Sequence, residues 1–537
     1  FLLQNYSSFY KILMKSILSH WRQDLPSSLV VFLVALPLCL GVGLASTNNP
    51  QITGMPNIFS GLIAGIVGGI VVGLFSKSRI GVSGPAAGLI TIVLGAIAVL
   101  GSFEAFLVTV VLAGVIQLIA GFLGLGILGN YFPSSVIKGM LASIGITLIL
   151  KEIPHALGYD KDFFGDEAFF QNDGHNTLSE LMYAFGALQP GSIIISAISI
   201  GILILFDRPF MKKWSIFKLI PGALVVVLLG VGLNQLFLTI YPDFYVNTKH
   251  LVQLPIAKTT EDFISYFSFP DFSVLNNVNV YVIAGTIALV GSLETLLSVE
   301  ATDKLDPEKK STPTNRELKA QGIGNILSGL VGGLPITQVI VRSSANVNAG
   351  GKSKMSTIYH GVLLLVSVIF LPTVLNLIPL ASLAAILIMV GYKLSKVQLY
   401  KQIFALGLEQ FLPFIATIIG VLFTDLLKGI GIGIAFSVFF ILRKNYRNNY
   451  SIKKNKEEKK IELILSQEVT FLNKSSILET LNQVHENYHV IIDGTHCDAI
   501  DYDVLEIIQE FKNYRSKELN ITVETLNIPE IIVTSKH

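Results

Sequence analysis

The sequence is short of charge for its size: Asp, Glu, Lys and Arg make up 14% of 537 residues, against 51% hydrophobic. That is too few ionic side chains to cover a soluble globule of this length. The shortage is uneven, since 28 of the 76 charged residues fall in the last 95 positions and 48 in the first 442. An apolar body and a polar tail follow. Cysteine is scarcer still, with Cys39 in the first apolar run and Cys497 in the tail. Two thiols so placed exclude a disulfide framework and a thiolate metal site. The nine histidines lack ligand spacing, no P-loop, HExxH or paired CxxC occurs, and the formal net charge is only +2. Metalloenzymes and nucleic-acid binders thereby lose their usual signatures. The 46 glycines follow no Gly-X-Y period. Glycine at this level fits helices packed closely in lipid.

A window of about 20 residues, the length that crosses roughly 30 Å of hydrocarbon, marks fourteen apolar segments. They are 25–46, 57–75, 80–100, 104–126, 133–150, 191–206, 219–238, 278–300, 318–333, 334–350, 356–371, 375–392, 405–425 and 428–443. An even number places both termini on one side, and basic loops identify it as the cytoplasmic one: counted with the residues at span edges, loops assigned inside carry 16 Lys and Arg, those outside 5. The expected division is a cytoplasmic N-terminus at 1–24, a membrane body at 25–443, a basic linker at 444–460 and a folded tail at 461–537. Met14 is a natural start within the N-terminal stretch. The first apolar run has no convincing cleavage site and reads as a span in the cell membrane. The longest outer loop, Lys151 to Pro190, holds seven acids and two lysines.

Two segments depart from ordinary spans. The first, SKSRIGVSGPAAGLITIVLGA (Ser76 to Ala96), carries Gly81, Gly84 and Pro85 ahead of a good apolar helix. The second, GGLPITQVIVRSSANVNAGG (Gly332 to Gly351), is interrupted at Pro335. Each follows a glycine-rich span ending in a related string, SGLIAGIVGG and SGLVGG. As the third and tenth spans they lie seven apart and cross in opposite senses, which marks an inverted repeat with interrupted helices. An extended half is tolerated at membrane depth only inside protein or beside a cavity. The helical halves are expected to begin at Pro85-Ala86-Ala87 and Gln338-Val339-Ile340, aiming unpaired N–H groups and positive dipole ends at one point. An anion suits that point.

Arg342, one turn beyond Gln338, is costly at membrane depth, so its expected role is to hold the anion, with a structural pair to Glu294 as the alternative. Glu294 and Ser298 are four residues apart and share a helical face. A carboxylate with a hydroxyl beside the anion could ligate sodium, carry a proton, or simply balance Arg342. Spacings such as Gly61-x3-Gly65-x3-Gly69 read as packing surfaces.

At these strings the body resembles the sulfate permease (SulP) family of anion transporters. VSGPAAGLITIV, GSLETLLSVEATDKL and ELKAQGIGNILSGLVGGLPITQVIVRSSANVNAGGKSKMSTIYHG carry the likeness, which covers nearly the whole chain. It implies a polytopic α-helical membrane protein of fourteen spans in seven-plus-seven inverted repeats. That is a uracil-permease-like arrangement with core and gate domains, elevator-like movement and a homodimer. Leu36-Pro37 is followed by Leu38 and Cys39 where relatives often place Gln or Glu, so Leu38 faces the expected site without a polar contact. Val339 and Ile340 are bulkier than the small or hydroxyl residues common there.

In the tail, RKNYRNNYSIKKNKEEKK (Arg443 to Lys460) reads as a basic linker that anionic headgroups would attract. Beyond it IELILS, VTFLN, HVIIDGTHCDAID and NITVETLN read as strands, and SSILETLNQVHEN and YDVLEIIQEFKNYRSKEL as helices. This alternation makes a small α/β layer domain. It resembles a STAS domain, with Asp503 standing where some soluble relatives carry a phosphorylated serine. The reading is a secondary transporter of a small inorganic anion, bicarbonate or sulfate, in a lipid membrane. It needs no cofactor beyond a possible sodium ion at Glu294 and Ser298, and no nucleic-acid partner. An anion channel and a nucleobase permease of the same architecture are the alternatives.

Overall fold

The computed structural model describes residues 20–47, 59–161, 169, 176–209, 211, 220–257, 259–447, 450–455 and 457–529. Met14 therefore lies outside the described residues. Two compact units make up the chain, Phe1–Ile434 and Ala435–His537.

The first unit is built from helices α1 (Trp21–Thr47), α2 (Phe59–Val67), α3 (Ile90–Leu100), α4 (Phe103–Phe122), α5 (Ser134–Leu157), α6 (Thr177–Gly186), α7 (Pro190–Asp207) and α8 (Gly222–Ile240). After them come α9 (Val278–Leu305), α10 (Thr314–Leu330), α11 (Ile340–Asn348), α12 (Met355–Phe370), α13 (Leu380–Leu394), α14 (Val397–Ala405), α15 (Leu408–Phe423) and the start of α16 (Leu426–Arg447), whose residues from Ala435 on belong to the second unit. Seven stretches among the described residues are helical, long and apolar enough to cross a membrane, and four shorter apolar helices accompany them. Large apolar side chains such as Leu228, Leu238 and Phe370 stay exposed, as helices facing lipid require. The outer loop expected over Lys151 to Pro190 contains the amphipathic α6, started by the Asn176 side chain capping Leu178 and Ser179.

Glycines set the closest approaches. A Cβ on Gly114 would lie 2.6 Å from the Gly322 carbonyl oxygen, and one on Gly322 2.7 Å from that of Gly114, so α4 and α10 touch backbone to backbone. Gly61 and Gly65 leave room in the same way for Cys39 of α1, which supports the packing reading of that spacing. Past Val67, α2 continues through a wide π-type turn at Gly68–Val72. There Gly68 is pressed against the Ser83 carbonyl, where a Cβ would stand at 2.4 Å.

The second unit contains a four-stranded sheet ordered β3 (Tyr450–Asn455), β4 (Lys460–Leu465), β5 (His489–Asp493) and β6 (Thr522–Leu526). β3 and β4 are antiparallel, while β4/β5 and β5/β6 are parallel. Along β4, Ile461, Leu463 and Leu465 are buried, alternating with partly exposed neighbours. Helices α17 (Lys474–Asn482) and α18 (Tyr502–Glu510) supply Ile477, Leu481, Val504, Ile507 and Ile508 to the same core. Within the expected basic linker at 444–460, α16 runs on to Arg447 and Tyr450–Asn455 form β3, which pairs with β4 throughout as an edge strand with exposed lysines. One expectation is corrected here. VTFLN is mostly a turn. Only Val469 belongs to a short strand, and Thr470 and Asn473 cap a 3₁₀ turn over Phe471–Asn473.

Candidate functional site

Two short strands, β1 (Ser83–Pro85) and β2 (Ile336–Gln338), meet in the interior of the first unit and pair antiparallel, Ser83 with Gln338 and Pro85 with Ile336. Proline dictates the extension, through its fixed φ at Pro85 and through Pro335 immediately before β2. The ladder meets needs that lipid could not. Beyond it, Val339 N–H donates to the Val82 carbonyl at 3.0 Å and Val82 N–H donates to Ser343 Oγ at 3.0 Å. On the far edge of β2, Asn325 takes the place of another strand: Ile336 N–H donates to its Oδ1 at 2.6 Å, and its Nδ2 donates to the Ile336 carbonyl at 3.0 Å.

Each strand leads into a helix start. Ala86 is still extended, Ala87–Leu89 forms a 3₁₀ turn, and α3 begins at Ile90. Val339 is extended and α11 begins at Ile340. Neither start has a side-chain cap, so the first N–H groups are left for water or a guest.

A cavity of about 40 Å³ lies at this junction. It is roomy enough for a small ion or a few waters, since one water needs roughly 10–15 Å³ on the same measure. Eight of the ten residues expected at the site line it: Leu38, Pro85, Ala87, Glu294, Ser298, Val339, Ile340 and Arg342. Ala86 and Gln338 do not. The alternation of a strand explains Gln338, whose side chain shares a face with Ser83 and points behind the ladder, where Nε2 donates to Thr302 Oγ1 at 3.2 Å. The wall also includes Val42, Ile144 and Leu426, ordinary apolar residues that no motif distinguishes.

Arg342 is 2% exposed, and its Nη1 has no hydrogen-bond partner among the described residues. Arg342 and Glu294 both line the cavity. A Cβ on Gly84 would stand 1.9 Å from Nη1, which gives that glycine its purpose: the guanidinium occupies the space a side chain would fill. Cys39 and His360 flank the arginine, and neither His360 ring nitrogen has a hydrogen-bond partner among the described residues. Sequence spacing gave no signal for either. Glu294 and Ser298, 7% and 4% exposed, face the start of the first helical half, where a Cβ on Gly88 would lie 3.3 Å from Glu294 Oε2.

A larger cavity of about 810 Å³ opens where Trp21, Arg22 and Pro26 of α1 face Phe206, Asp207 and Lys393. Ala345 and Gly350 of the α11 segment line it too, so a single short helix borders both spaces. Lys393 is neutralised by Asp207, Nζ to Oδ2 2.8 Å, leaving Arg22 as its net positive group. Among the described residues no three His, Cys, Asp or Glu side chains are grouped to hold a metal.

The profile of the family described as the sulfate permease family matches residues 21–417. YvdB of Bacillus subtilis, provisionally named a sulfate transporter, is 28% identical over 433 residues, covering 80% of this chain and 74% of that one. The bicarbonate transporter BicA of a Picosynechococcus species is 26% identical over 424 residues, covering 77% and 69%. Among solved structures, the transmembrane domain of a cyanobacterium BicA superposes with TM-score 0.53 at 24% identity, over 77% of this chain and 98% of that chain. The structure of SLC26A9 superposes with TM-score 0.64 at 14% identity, over 98% and 89%. These likenesses establish the fold, a polytopic helical body with a small α/β region consistent with a STAS domain.

Proposed function

The chain belongs to the sulfate permease family of anion transporters, and from that premise we propose a secondary carrier of bicarbonate or sulfate, coupled to sodium or protons and working by elevator-like alternating access. The observation that carries the reading is the antiparallel junction of β1 and β2, with two uncapped helix starts and Arg342 beside one small cavity. The backbone N–H groups supply orientation and partial positive charge, and Arg342 supplies a full one. The apolar wall of Leu38, Ile144, Val339 and Ile340 strengthens both by excluding water. Glu294 and Ser298 are proposed as the cation-coupling pair: a sodium ion or proton there offsets part of the anion's charge during crossing. In an elevator the strand ladder and its two helices travel together as the core, while α5, α13 and neighbouring helices form the gate. The fourteen-span count, cytoplasmic termini and a homodimer are parts of the same proposal.

Uptake of radiolabelled bicarbonate and sulfate into liposomes containing the purified chain, under imposed sodium or proton gradients, tests it. Saturable uptake of one anion driven by one gradient is expected. Conductive flux that neither saturates nor responds to either gradient would instead assign a channel.

A further inference from the structure

Beside the strand ladder, and outside the lining of the anion cavity, lies a second polar cluster that the transport reading leaves unused. Its centre is Glu317 in the first turn of α10, 1% exposed. Its carboxylate meets Ser76 Oγ on one oxygen and accepts from Gln321 Nε2 at 3.0 Å on the other. Among the described residues no basic group is one of these neighbours, and the charged side chain that acts on it is another acid, Asp303. A buried carboxylate without a counter-charge is costly.

The same cluster has acceptors with nothing to accept. Gln321 Nε2 is spent on Glu317 Oε1 and on Ser83 Oγ, the latter at 2.7 Å. Its Oε1, covalently held beside them, has no hydrogen-bond partner among the described residues, and the residue is fully buried. Ser83 pairs across the ladder with Gln338, whose own Oε1 is buried without a partner while its Nε2 is held by Thr302. The Gln338 amide fits there because Gly81 has no side chain: a Cβ would lie 2.7 Å from Nε2 and 2.5 Å from Ser78 Oγ.

Each simple remedy fails on one count. A proton on Glu317 removes the charge but leaves both amide oxygens without donors. A water supplies donors but leaves the charge. A hard monovalent cation answers both, and one carboxylate among neutral oxygens is too little charge for the divalent ions, which gather several carboxylates. We propose that Glu317, Gln321, Ser83 and Gln338 form a buried binding site for a sodium ion, separate from Glu294 and Ser298. The ion would fasten α10 to the back of the ladder and so set the position of both helix starts without touching the transported anion.

The test is equilibrium binding of radioactive sodium to the purified full chain in nanodiscs, choline replacing sodium as the counter-salt. A variant with Glu294→Gln and Ser298→Ala removes the front pair. The proposal expects that variant to keep about one sodium per chain and to fall to background when Glu317→Gln is added. Zero binding in the front-pair variant overturns it, as does binding that survives Glu317→Gln. Stoichiometry falling from two to one on removing the front pair supports both sites, whereas one sodium per chain before and after that removal supports this site and withdraws sodium from the front. Should Glu317→Gln fail to fold, Gln321→Met, which keeps length and removes Oε1, is expected to weaken sodium binding at least tenfold on the same background. Unchanged affinity there also overturns the site.

Discussion

The two interrupted segments form the same device from opposite materials. The first, Ser83 to Leu100, brings small residues: Gly84, Ala86, Ala87 and Gly88 supply backbone and empty space. The second, Ile336 to Asn348, brings side chains: Gln338, Arg342, Ser343 and Asn346 are all buried and polar. Asn346 alone bridges three elements, donating to the Ile80 carbonyl at 2.9 Å and to Ser356 Oγ at 2.8 Å while accepting from Ser27 Oγ at 2.6 Å. Pseudo-symmetry of backbone therefore does not imply symmetry of chemistry. One half recognises by what it leaves out, and the other by what it puts in.

Removing what the second segment puts in should have the largest effect. Arg342→Ala takes away the one full positive charge beside the cavity. A hydrogen bond to a charged group contributes about 1.5–3 kcal/mol, so anion affinity should fall roughly 10–100-fold, measured by calorimetry on the purified chain. Affinity within twofold of the parent would mean that the helix starts bind alone. Filling what the first segment leaves out comes next. Gly84→Ala puts a methyl 1.9 Å from Arg342 Nη1, and the flexible guanidinium should give way before the ladder does. The expected result is about tenfold weaker binding with a modestly lowered melting temperature, since overpacking of this kind costs about 1–3 kcal/mol of stability. Equal affinity would show that the arginine works equally well from another rotamer.

Glu294→Gln probes the point where the segments are bridged, because the carboxylate sits over Gly88 of the first and shares a cavity with Arg342 of the second. The expected outcome is loss of the cation dependence of uptake, with residual uptake in the absence of any gradient. Coupling free energies are commonly about 1–3 kcal/mol, so the stimulation lost should be roughly 5–150-fold. Persistence of the parent's cation dependence would place coupling elsewhere.

Much of this contrast is legible in the sequence. Gly-Pro strings announce a break, an arginine inside an apolar run announces a function, and Glu294 with Ser298 follows from helical spacing alone. The side on which a strand residue falls was not legible, because Gln338 and Val339 are neighbours in sequence and faces apart in space. Nor were the supports: Asn325, Ser343 and Gly81 act through partners hundreds or tens of residues away, and a lone polar residue in an apolar span says nothing about which backbone group it will meet. The tail's β3 was hidden by its charge, which suits an edge strand as well as a linker.

The smallest effect should come from the tie between the segments. Ser343 Oγ accepts from Val82 N–H at 3.0 Å and donates to the Val339 carbonyl at 2.7 Å, so it holds the entry of the first segment against the helix of the second. Ser343→Ala leaves the Val82 N–H buried and unpaired, a cost of about 1–3 kcal/mol. Because the ladder itself and the bond from Val339 N–H to the Val82 carbonyl remain, that cost should appear in a lowered melting temperature and only a few-fold loss of anion affinity. If affinity instead fell as far as in Arg342→Ala, the space-giving segment would prove to be positioned by this hydroxyl rather than by the ladder, and the division between a half that supplies room and a half that supplies charge would have to be redrawn around Ser343.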